Sequence, residues 1–131
     1  MRGLFLVAML SVAGCKQAPK PGSPDGAYAA FVTALTRGDA KTAWSLLTPS
    51  TKDVVTAKSK AIADASHGTV RDEPEVLLFQ AGRAGALGEI KTLSDDGERA
   101  VLQVSSAGGE REVKLVKNSG RWLIDLSDQL K

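Results

Sequence analysis

Cysteine, histidine and methionine are scarce in this 131-residue chain: it has one Cys (Cys15), one His (His67) and two Met, both in the first fourteen residues. Soft metals need clusters of such ligands, so a multi-ligand zinc or copper site is excluded. A single cysteine makes no disulfide within the chain, so the core must hold the fold unaided. Charge of one sign is also lacking: 17 Lys and Arg stand against 15 Asp and Glu, a net +2. That balance argues against a nucleic-acid partner. The apolar stretch that begins at Leu4 ends at Ala13, too short to span a hydrocarbon core of ~30 Å. There is no G-x-S-x-G elbow, no G-x-G-x-x-G and no Walker lysine. Asp95-Asp96-Gly97-Glu98 lacks the ligand spacing of a calcium loop and reads as a hairpin turn. No metal, cofactor or nucleic acid is expected.

What is present begins with an address. Arg2 precedes a continuous apolar run from Leu4 to Leu10, the build of a cleaved signal peptide over residues 1–14. It ends Val12-Ala13-Gly14-Cys15, which resembles the bacterial lipoprotein box. The resemblance implies lipidation at Cys15: a diacylglyceryl group on sulfur, cleavage before the cysteine, and a fatty acyl group such as palmitate on the new amine. It also implies an envelope location, lipid-anchored, with the domain facing the periplasm or the outside. Lys16 rather than Asp follows the cysteine, which in such lipoproteins favours the outer membrane. Residues 15–24 then read as the lipidated cysteine and a tether. Three of five prolines lie here, at Pro19, Pro21 and Pro24. In polyproline II the nine residues from Lys16 would reach roughly 28 Å at ~3.1 Å each.

Residues 25–131 read as one domain. Ser23 and Pro24 suit an N-cap and first helical position, and Tyr28, Phe31, Val32 and Leu35 fall on one helical face. Gly38 stops this helix. Asp39 caps a second, with Ala40, Ala43, Trp44 and Leu47 on one side. Thr48-Pro49 opens a third, expected to bury Val54, Val55, Ala61, Ile62 and Ala65 and to close at His67-Gly68. Pro74, flanked by glutamates, tilts the Val76 to Phe79 run toward a short helix. Gly82, Gly85 and Gly88 read as a loose connector; the alternative is a mobile lip over the domain mouth, with Arg83 as an anion contact. From Leu87 the period changes to two. Strands are expected over Leu87 to Leu93, around Leu102, around Val113 and around Trp122, separated by turns at Asp95-Asp96-Gly97, Gly108-Gly109 and Asn118-Ser119-Gly120. Leu102, Val104, Val113, Leu115, Trp122 and Ile124 should face inward. Val101, Gln103, Val116 and Leu123 should face out. Helices first and an antiparallel meander after make an α+β fold, with the helices on one face of the sheet.

The stretch YAAFVTALTRGDAKTAWSLLTP with a terminal meander ending GRWLIDL resembles the nuclear transport factor 2-like (cystatin-like) fold, in particular bacterial lipoproteins carrying it as a domain of unknown function. That resemblance implies a curved sheet wrapping a long helix into a cone with an interior cleft. Its members include ketosteroid isomerase, scytalone dehydratase and limonene epoxide hydrolase, and also carriers and dimerising adaptors. No catalytic motif of those enzymes aligns here, and the inward positions are apolar. The expected role is therefore a non-catalytic binding or interaction domain, with a second copy or an envelope protein as partner. The alternative is a cone-pocket enzyme or carrier of a small apolar ligand.

The polar or aromatic groups available to such a pocket are Tyr28, Trp44, His67 and Trp122. Each has a plainer reading. Tyr28 suits a core aromatic with its hydroxyl at the rim. His67 suits a helix end, where imidazole meets free carbonyls. Trp44 and Trp122 suit the core. Asp53 and Asp64 lie eleven residues apart, ~16 Å along a helix, too far for paired catalytic carboxylates.

Overall fold

The computed structural model describes residues 22–81, 88–106 and 108–131. The signal segment 1–14, Cys15, the tether up to residue 21, Arg83 and Leu87 lie outside the described residues. Four helices precede four strands: α1 (Pro24–Thr36), α2 (Ala40–Ser45), α3 (Pro49–Ala65) and α4 (Pro74–Ala81), then β1 (Ile90–Asp95), β2 (Arg99–Ser106), β3 (Gly109–Asn118) and β4 (Arg121–Asp125). The strands form one antiparallel meander in the order β1-β2-β3-β4. The fold is α+β.

Local chemistry sets each helix start. Ser23 Oγ accepts the Gly26 N–H at 3.2 Å with Pro24 at the first helical position. Asp39 Oδ1 accepts the Thr42 N–H at 3.1 Å, and Thr48 Oγ1 accepts the Thr51 N–H at 3.3 Å. Each side chain satisfies a backbone donor that has no carbonyl partner within its helix.

The helix ends are equally specific. After α1, Gly38 N–H donates to Leu35 O and Asp39 N–H to Ala34 O, with Gly38 at φ +75°. After α3 the same pair of bonds recurs: His67 N–H to Asp64 O and Gly68 N–H to Ala63 O. These are Schellman ends. At the second, the left-handed position is held by His67, at φ +53°. Gly68 follows it rather than filling the role expected of a terminal glycine.

One face of the sheet is dry. Ala100, Leu102, Val104, Val113, Leu115, Trp122 and Ile124 are buried there as expected, against Tyr28, Phe31, Val32 and Leu35 of α1. Removing each large side chain from water contributes ~1.5–3 kcal/mol. The opposite face keeps Val101, Gln103, Val116 and Leu123 half-exposed.

Three expectations are corrected. First, α2 stops at Ser45, and Leu47 is not on a helix. Pro49 forces Thr48 out of the helical region, to ψ 155°. The connector therefore runs extended, and Leu47 forms a parallel bridge to Ile124. Ile124 N–H donates to Leu46 O at 2.7 Å and Thr48 N–H to Ile124 O at 3.0 Å. This covers the β4 edge, which would otherwise present unpaired backbone groups. Second, α3 buries Thr51, Val55 and Ser59, while Val54 is half-buried and Ala61, Ile62 and Ala65 are exposed. The helix packs chiefly on α4 and meets the sheet at β4, so its second half runs past the core. Third, β1 runs from Ile90 to Asp95 instead of Leu87 to Leu93. Its register slips between Thr92 and Ser94, a bulge that leaves Leu93 as the extra residue. Gly88 is also more than a loosener, because a Cβ there would collide with the Ser105 carbonyl.

Candidate functional site

The structure separates the four residues that sequence reasoning offered for a pocket. Tyr28 is buried on α1, 6.3 Å from Phe31 between ring centroids. Its hydroxyl accepts a hydrogen bond from Arg111 Nη2 at 3.2 Å, which places the phenol's polar end at the beginning of β3. Trp122 is buried on the sheet, 4 % exposed, with Lys117 Nζ 5.8 Å from its ring centroid. His67 is exposed beyond α3. Trp44 is half-buried on α2, packed against the edge of the core, with Lys52 Nζ 5.9 Å from its ring centroid.

A polar knot joins α3 to β4. Thr51, fully buried, takes the Leu126 N–H on its Oγ1 at 2.9 Å, and that oxygen lies 2.9 Å from Thr48 Oγ1. Thr51 Oγ1 also donates to Asp125 Oδ1 at 3.4 Å. The same carboxylate oxygen accepts the Ser127 N–H at 3.0 Å and the Ser127 hydroxyl at 2.6 Å. These groups spend their hydrogen bonds on one another, which is how a buried polar cluster avoids its desolvation cost. The arrangement fixes a joint and leaves no described donor aimed at a ligand.

Open space lies elsewhere. One cleft of about 330 Å³ sits between α3, the 69–73 segment and α4, lined by Ser59, Ile62, Val70, Arg71, Val76 and Leu77 among others. Another, of about 360 Å³, runs from Trp44 along Asp72, Glu73, Pro74, Glu75 and Val76. Tyr28, His67 and Trp122 line neither. Of the four sequence candidates, Trp44 alone borders a described cleft. Sequence reasoning missed Ile62, Val70 and Val76 as surface residues. The available signal was the run Arg71-Asp72-Glu73-Pro74-Glu75, which puts charge and a helix-starting proline beside them.

Between these walls, Ser59 Oγ donates to Asp72 Oδ1 at 2.7 Å, tying the 69–73 segment to α3. Arg71 Nη1 stands 3.8 Å from Glu73 Oε1, both exposed. Such a surface pair is worth little. Among the described residues, no group of three His, Cys, Asp or Glu is placed to hold a metal ion. Among the same residues, no helix is long and apolar enough to cross a membrane. The clefts combine apolar side chains with carboxylates and the Ser59 hydroxyl. No protein-family model matches the chain, and comparison with curated proteins and with solved structures finds no significant match.

Proposed function

We propose that this chain is a lipid-anchored lipoprotein of a bacterial envelope, whose domain is a non-catalytic binding module of the nuclear transport factor 2-like kind. The observation that carries it is the Val12-Ala13-Gly14-Cys15 box at the end of a short apolar run headed by Arg2. Two or more acyl chains at Cys15 give stable attachment, at ~0.8 kcal/mol per buried methylene. Lys16 after the cysteine favours the outer membrane. The finer fold reading is supported by the order of elements, helices first and a meander after, with α1 pressed against the sheet. The non-catalytic reading is supported by the apolar filling between α1 and the sheet, and by the Tyr28 hydroxyl being spent on Arg111. The partner is an envelope protein or a second copy of the chain.

The test is metabolic labelling with radioactive palmitate in a bacterial host, followed by membrane fractionation. The native chain should carry label and sediment with membranes. Cys15→Ser should lose the label and appear in the soluble fraction. A Cys15→Ser protein that still sediments with lipid would sink the anchor.

A further inference from the structure

Four large apolar side chains are exposed among the described residues: Ile62, Val70, Val76 and Leu93. The first three line the same cleft. Val76 and Glu73 also line the neighbouring cleft that reaches Trp44 and Pro74, so the two join into one trough. Its walls mix apolar side chains with polar ones, and Asp72, Glu73 and Glu75 stand along it. Three carboxylates thus fall within four positions of a chain whose net charge is +2. Among the described lining residues the single cation, Arg71, lies beside Glu73.

We propose that this trough docks a segment of an envelope protein partner that carries apolar and basic side chains together. The proposal rests on reading the domain as a binding module and names the surface and the chemistry of what it binds. Exposed apolar side chains gathered in one place mark an interaction surface, whereas scattered ones need no explanation. The carboxylates select the partner's charge: lysine or arginine meets complementary potential there, and an acidic segment is repelled. An anionic lipid surface is repelled for the same reason, which favours a protein over the membrane as occupant. Lys52 already places its ammonium over the Trp44 ring. A partner therefore meets that end of the trough with an apolar side chain, and meets Glu73 and Glu75 with its cations.

The experiment uses the lipidated full chain in neutral phosphatidylcholine nanodiscs, with empty discs as blank. Three short fluorescent synthetic peptides serve as probes, alternating Lys/Val, Glu/Val and Lys/Ser, and anisotropy is the readout. The Lys/Val peptide should bind about tenfold more tightly than either other peptide and weaken as salt rises. Val76→Asp should abolish that binding. The double variant Glu73→Lys with Glu75→Lys should invert the preference toward Glu/Val, a reversal that partial unfolding does not produce. Equal binding of all three peptides, or an unchanged preference in the charge-reversed variant, overturns the proposal. So does self-association of the chain without peptide that Val76→Asp abolishes, since it gives the trough to a second copy. Palmitate labelling of the same cells keeps the anchor separate: a labelled chain that binds no peptide loses the trough and retains the anchor.

Discussion

His67 occupies a backbone position that suits glycine. It follows α3 at φ +53° in the same Schellman geometry that Gly38 completes after α1 at φ +75°. A side chain in the left-handed region costs roughly 1–2 kcal/mol. Replacing it by glycine frees that strain but loosens the unfolded chain, returning about 0.5–1 kcal/mol. His67→Gly should therefore stabilise the domain by a net ~0.5–1 kcal/mol. The assay is urea unfolding followed by tryptophan fluorescence, read as a higher midpoint at unchanged slope. Gly38→Ala is the matched control. A Cβ there meets nothing within 4 Å, so the loss it causes, a net ~0.5–1 kcal/mol, is backbone conformation alone: left-handed strain less the freedom that alanine removes from the unfolded chain. The reasoning fails if His67→Gly is neutral or destabilising. The imidazole would then be making an interaction as large as the strain it causes, and a working role for it would return.

Trp122→Ala empties the largest side chain on the dry face of the sheet and should cost ~3–5 kcal/mol; a near-neutral urea midpoint would contradict its burial at 4 % exposure. Thr51→Val keeps the volume but strips the Leu126 N–H of its acceptor and leaves Thr48 Oγ1 with the residue-51 backbone N–H alone. It should cost ~1–3 kcal/mol, and a variant as stable as the native chain would remove the knot from the account. Acid should destabilise the fold. The Thr42 hydroxyl and N–H lower Asp39, the Arg99 and Glu98 N–H groups lower Asp96, and Lys131 and then Lys114 lower Asp128, each from an ordinary 3.8. A lowered carboxylate contributes stability above its unfolded value that is lost as pH falls through the folded one. Stability should thus decline below pH 3.8, and Asp39→Asn should flatten that limb in a pH series of thermal midpoints. Lys60 has the opposite sign. Asp64 raises it from 10.5, so its contribution is present below that value and fades as pH climbs through the folded one.

The meander was legible because alternation and turn chemistry agree. Leu102, Val104, Val113, Leu115, Trp122 and Ile124 sit two apart in their strands and all are buried. Ser119 and Gly120 take φ +52° and +78° at the β3–β4 turn, as a two-residue hairpin demands. The caps at Ser23, Asp39 and Thr48 were legible for the same local reason. What was hidden is non-local. Leu47 matches a helical stripe, yet the cost of leaving the β4 edge unpaired draws it into a bridge with Ile124. Gly88 looks like slack, and its need for glycine comes from Ser105, seventeen residues on. Among the candidate site residues, Trp44, beside a cleft, and Trp122, inside the core, look alike in sequence. Tertiary packing distinguishes them: Trp122 is buried and Trp44 only half-buried.

The misreading of α3 bears on function. Periodicity assigned Ile62 inward with Val55, yet the buried stripe continues Thr51, Val55, Ser59 and ends there. Beyond Ser59 the helix buries no apolar side chain, and Ile62 meets Val70 and Val76 across open space instead. A sequence that places apolar residues where the fold cannot bury them maintains exposed surface at a cost in solubility. Local rules tend to break at working sites. Here the break falls along the trough bordered by Asp72, Glu73 and Glu75. The stripe makes sense if a partner completes the burial that α3 begins: Ile62 is then the next core residue after Ser59, in a core that closes on binding.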